Sequence, residues 1–139
     1  MTVSIGLIKW PENSRLCVQL YLNFLLEVTD MLNITFEGGE NDPIQITREY
    51  LKDSTREDER EAALSFWWNY VDSNDGIRNF KDKPLVMARL AICFLSIKEK
   101  DIPEIGEHLS WFIEVLGFLG LNLSKVVVFM GEYFEFNPR

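Results

Sequence analysis

Apolar residues recur along this chain mostly at helical spacing. From about Glu12 to Leu32, Leu16, Leu20, Phe24 and Val28 fall every fourth residue, and Cys17, Tyr21, Leu25 and Leu32 widen the stripe. That is one face of a 3.6-residue helix, and Pro11 suits its first turn. The segment NITFEGGENDP then breaks the pattern with two glycines and a proline. It predicts a loop, with a minor extended piece near residues 33–37. A short helix follows from about Ile44 to Lys52.

Ser54 and Glu57 have the spacing of a capping box, in which two side chains satisfy backbone donors of a helix's first turn. Glu57, Asp58, Glu59 and Glu61 lie in the same first turns, where the helix dipole favours negative charge. Asp75-Gly76 closes that helix. Asp82 caps the next, with Pro84 in its first turn, running to about Ile97. Asp101 and Glu104 repeat the capping-box spacing ahead of a helix that stops near Gly120, a residue suited to a left-handed C-terminal cap. Asn122 caps a last helix through about Tyr133, although the β-branched run VVVF also admits a strand. The pattern predicts an all-α single domain over 1–139, a bundle of five or six helices, with the last three, the most apolar, at its centre.

The stretch LSFWWNYVDSNDG at 64–76 sharpens the reading. Neighbours on a helix point about 100° apart, so Trp67 and Trp68 cannot both face one core. Ala63, Phe66, Trp67, Tyr70 and Val71 form the predicted core face. Trp68 aligns instead with Glu57, Glu61, Ser65 and Asp72, a mostly acidic stripe. An aromatic ringed by carboxylates is how an anchor for a basic partner is built, the ring supplying buried area and the acids supplying steering. Glu57, Glu61, Trp68 and Asp72 are therefore the candidate partner-binding residues. The alternative is that Trp68 packs on a neighbouring helix or on the EGGENDP loop. Trp111, Phe112, Phe118, Phe129, Phe134 and Phe136 read as core, Trp10 as a staple between the chain entry and the first helix, and Arg89 as the partner of Glu114.

Composition adds where the charge lies. The chain has 139 residues, 47% hydrophobic and 13% aromatic, ample for one core that buries roughly two-thirds of the unfolded surface. Of 22 acidic residues 11 fall between Glu37 and Asp75, against four of 14 basic ones, a net −7 there and −1 elsewhere. Such a field repels nucleic acid and draws a basic partner. With no secretory pattern at the N-terminus and no apolar run near the roughly 20 residues that span a bilayer, the expectation is a cytoplasmic chain with no membrane partner. Cys17 and Cys93, isolated in apolar helical patterns, read as reduced packing residues.

Catalytic chemistry has little to work with. His108 is the one histidine. No G-x-S-x-G turn, phosphate loop, dinucleotide fingerprint, H-E-x-x-H or CxxC pair is present. Gly38-Gly39 alone is too short to cradle a phosphate. Glu104 stands one turn before His108, but two groups do not make a metal site. The reading is of a non-enzymatic chain without metal or cofactor, with a small enzyme using His108 and nearby carboxylates as an alternative.

SFWWNYVD at 65–72 and ARLAICFLSIKEKDIPEIGEHLSWFIEVLGFLG at 88–120 resemble bacterial immunity proteins of contact-dependent growth-inhibition and other polymorphic toxin systems. Such proteins share a role rather than a fold or a universal motif, so no binding residues carry over. The resemblance implies a tight stoichiometric complex with a cognate toxin domain, often a nuclease, whose basic cleft an acidic surface covers. A nucleic-acid mimic or a stand-alone regulatory interaction protein is the alternative. A mimic should spread its carboxylates at phosphate-like spacing over much of its surface, whereas here they are concentrated in one region.

Overall fold

Ten of the fourteen residues of helix α4, Lys83–Ser96, are buried, and the other elements are arranged around it. A computed structural model describes residues 4–37, 39–74 and 79–138. Among these, the chain forms α1 (Ser14–Met31), α2 (Pro43–Lys52), α3 (Glu57–Ser73), α4, α5 (Ile105–Phe118) and α6 (Ser124–Tyr133), with short 3-10 segments at Ile5–Leu7, Gly39–Asn41 and Glu99–Glu104 and no strand. The fold is all-α, as the periodicity predicts. Residues 34–37 are irregular and pair with nothing as a strand, and VVVF is helical within α6.

α4 is apolar on nearly its whole circumference, which a helix tolerates only when neighbours enclose it. α3 is its most extensive neighbour, with α2 and α5 also packed on it. α3 and α4 run antiparallel, because Arg60 near the start of α3 reaches the carbonyls of Phe94 and Ile97 at the end of α4. α1 buries eight residues and is the second element of the core. α6 buries only Val126 and Met130. The expected central position of the last three helices therefore holds for α4 but not for α6, whose apolar residues are spread around the helix and leave Val128 exposed. α6 packs on α1 through the stacked rings of Phe24 and Phe129, 5.5 Å apart, and a hydrogen bond from Tyr133 Oη to the Leu20 carbonyl. The segments before α1 and after α6 are joined by Lys9 N–H to Glu135 O and Asn137 N–H to Leu7 O, each 2.7 Å.

The helix ends correct several cap assignments. Asn13, not the Pro11 turn, opens α1, its side chain accepting from the Leu16 N–H at 3.0 Å. Asp42 does the same for α2, with Pro43 as first residue. The Ser54–Glu57 box does not form, because the Glu57 carboxylate is taken by Arg60 and α3 starts at Glu57 itself. Asp101 is not the N-cap of α5 but the third residue of a capping box on the preceding 3-10 segment, its carboxylate accepting from the Lys98 N–H at 3.0 Å. Asp82 stands at the N-cap position of α4, yet its carboxylate binds the Asn79 amide. Gly120 ends α5 at φ +76°, the left-handed geometry only glycine adopts cheaply. Asn122 accepts from the Ser124 N–H at the start of α6. The Asp75-Gly76 stop lies outside the described residues.

Candidate partner-binding surface

α3 turns Arg60, Ala63, Trp67 and Val71 inward, at spacings of three and four residues that keep one narrow arc against α4 and α2. Trp67 is 8% exposed, and its indole Nε1–H donates to the Asn41 carbonyl at 2.9 Å. Its ring meets Phe36, Phe66 and Tyr70 in edge-on contacts. Trp67 thereby holds Phe36 and Asn41 against the helix. Trp68, one position on, is 41% exposed. Among the described residues it has no ring pair and no hydrogen bond. The buried arc is narrower than the predicted face: Phe66 is 42% exposed on the flank opposite Trp68, and Tyr70 is half-buried.

Glu57, Glu61, Trp68 and Asp72 do share one side of α3, but they are not equally available. Glu57 is half-buried and receives the Arg60 guanidinium at 3.1 Å. Glu61 is exposed and bonds Lys98 Nζ at 2.9 Å. That hydrogen bond, and then the charge of Lys98, hold the Glu61 carboxyl below its usual range. Asp72 is exposed and forms no ion pair among the described residues. The two acids nearest the start of the stripe thus already have cations. Elsewhere in the acidic segment, Glu49 and Glu59 converge on Arg56 at 3.2 and 3.4 Å. Sequence counting treats all of these carboxylates as free, and it misses Arg60 as a buried side chain.

Arg89 does not pair with Glu114: its guanidinium lies 4.7 Å from the centre of the Phe80 ring, and Glu114 is exposed. Trp10 packs edge-on against Phe134, 5.0 Å away, which in turn meets Phe24 of α1, so it ties the segment before α1 to the one after α6. Phe112 and Phe134 are buried, whereas Phe118 is 43% exposed. Cys17 and Cys93 are buried free thiols, and burial pushes the Cys93 thiol up to about 12, leaving it protonated and unreactive.

His108 is half-buried on α5. Among the described residues no group of three or more His, Cys, Asp or Glu could hold a metal ion. His108→Ala is expected to change folding stability by less than about 1 kcal/mol in urea denaturation and to leave partner binding intact. Loss of a catalytic activity, or of stoichiometric metal, on that substitution would overturn this assignment. No described helix is long and apolar enough to cross a membrane. Compared with protein-family models, curated proteins and solved structures, the chain matches none.

Proposed function

We propose that this protein is an immunity protein, a non-enzymatic inhibitor that binds a cognate toxin domain with a basic active cleft, a nuclease, in the cytoplasm. The observation that carries the reading is the exposed Trp68 on the outer side of α3, one residue from a fully engaged Trp67 and between the carboxylates of Glu61 and Asp72. Leaving a large aromatic in water forgoes burial that the same residue recovers in a complex, and such rings are frequent anchors of interfaces. The acid-rich segment 37–75 supports attraction of a basic partner at a distance. The nucleic-acid mimic fares less well, because Glu49, Glu57, Glu59 and Glu61 are tied to Arg56, Arg60 and Lys98 rather than standing out like phosphates.

The direct test takes a candidate toxin domain, to be sought as the variable C-terminal domain of any large secreted protein encoded beside this chain. An equimolar amount of the protein should abolish that domain's activity. A toxin domain left fully active, with no complex on titration, would reject the proposal.

Steering gives a kinetic test. Between low and physiological salt the association rate should fall about tenfold, with the dissociation rate changing less than about twofold. Asp72→Lys combined with Asp58→Lys should reproduce the salt effect. These positions are preferred to Glu57 and Glu61, whose replacement would also release Arg60 or Lys98. An association rate insensitive to both changes would confine the acids to a role in solubility.

A further inference from the structure

We propose that the outer face of α5 is a second docking surface, separate from the Trp68 face, which takes an arginine- or lysine-bearing polypeptide segment. A cleft of about 570 Å³ lies between the Ile5–Leu7 turn and α5. Ile5, Pro103 and the Trp111 ring supply its apolar walls, and Glu104, Glu107 and Glu114 supply its charge. Among the described residues no basic side chain lines it. Among the described residues none of the three carboxylates forms an ion pair, in contrast to Glu49, Glu57, Glu59 and Glu61 on α2 and α3.

The arrangement suits a cation with an apolar stem. Trp111 stands one turn after Glu107 and one turn before Glu114, so a side chain laid along its ring ends at a carboxylate at either end. Indole is the aromatic face most attractive to a cation, and the guanidinium fork matches a carboxylate. The ring is held in place: Phe80 meets it edge-on at 6.1 Å, Phe118 lies 6.3 Å away, and Phe118 and Phe80 are 4.9 Å apart. Phe118, 43% exposed, extends the apolar strip beyond the cleft. The occupant that fits is a polypeptide segment alternating basic and aliphatic residues, its cation between Trp111 and the glutamates and an aliphatic side chain on Phe118. Nucleic acid and anionic lipid are repelled by the same three carboxylates.

The probe is the peptide acetyl-LRRLRRL-amide, titrated into the intact protein while the tryptophan indole N–H signals are followed by NMR. Trp111 is assigned from the Trp111→Phe variant. The Trp111 signal should shift saturably and the Trp68 signal should stay in place. Replacing the arginines with citrulline, which keeps the shape and removes the charge, should abolish the shift. Glu107→Gln with Glu114→Gln, both exposed and isosteric, should weaken binding about tenfold or more while leaving the thermal melt unchanged. The proposal is overturned if Trp111 does not respond, if the glutamine double variant binds as tightly, or if Trp68 responds in its place. The last outcome would put the basic segment on α3 and leave the immunity reading standing.

Discussion

Arg60→Ala is expected to cost about 3 to 5 kcal/mol of folding stability, the range for removing one member of a buried charged cluster. Arg60 is wholly buried, with 0% of its surface exposed. Its Nη2 donates to the carbonyls of Phe94 at 3.1 Å and Ile97 at 3.0 Å. These belong to the last turn of α4 and the residue after it, where helix carbonyls have no partner within the helix and carry the negative end of its dipole. Nη1 binds both carboxylate oxygens of Glu57, and the guanidinium lies 4.4 Å from the centre of the Tyr50 ring. One side chain therefore ties α2, α3 and α4 together. Its removal leaves two carbonyls without a donor, Glu57 without its cation and Tyr50 without its cover. Arg60→Lys should recover less than half of the loss, because an ammonium cannot span both carbonyls and the carboxylate as a planar fork does. The buried Nε of Arg60 has no hydrogen-bond partner among the described residues, so the cluster already carries one unmet donor. Urea denaturation of the two variants measures this. A loss below about 1 kcal/mol for Arg60→Ala would show that the helix end is satisfied in another way.

The paired tryptophans should separate stability from recognition. Trp67→Ala removes a ring packed among Phe36, Phe66 and Tyr70 and the hydrogen bond that holds Asn41. A cost of about 3 to 5 kcal/mol is expected for an aromatic cavity of this kind. Trp67→Phe keeps most of the packing and loses the bond to Asn41, so about 1 to 2 kcal/mol is expected. Trp68→Ala should cost less than about 1.5 kcal/mol in folding, yet weaken binding of the proposed toxin partner by about 2 kcal/mol or more. Urea melts and titration calorimetry on the single variants distinguish these results. If Trp68→Ala binds the toxin domain as wild type does, the anchor lies elsewhere, and the α5 cleft becomes the first place to look.

That contrast between adjacent residues is legible in the amino-acid sequence alone, because helical phase is local. Ala63, Trp67 and Val71 repeat at four-residue intervals, and Trp68 is necessarily rotated about 100° from Trp67. The same logic locates all six helices within a few residues, and marks Gly120 as the stop of α5 and Asn122 as the start of α6. Caps are less fully determined by spacing. The S-x-x-E pattern of Ser54 and Glu57 is equally compatible with Glu57 pairing to Arg60 one turn on, and the buried guanidinium wins.

Legible in the amino-acid sequence are the set of helices, the Ala63–Trp67–Val71 line that α3 turns inward, and the regional excess of acid, all of which depend on neighbours within a turn or two. Which charges remain free was decided only by the tertiary structure. Glu61 meets Lys98 from 37 residues away, and Arg60 serves carbonyls 34 and 37 residues along the chain. Whether an aromatic is core was likewise not a local matter. Phe112 and Phe118 belong to one apolar helix, but α4 and α1 cover only the side that carries Phe112, and Phe118 remains with Phe80 and Trp111 at the surface. The physical reason is the same in both cases: backbone geometry sets direction from adjacent residues, whereas burial and ion pairing depend on which distant segment arrives on that side.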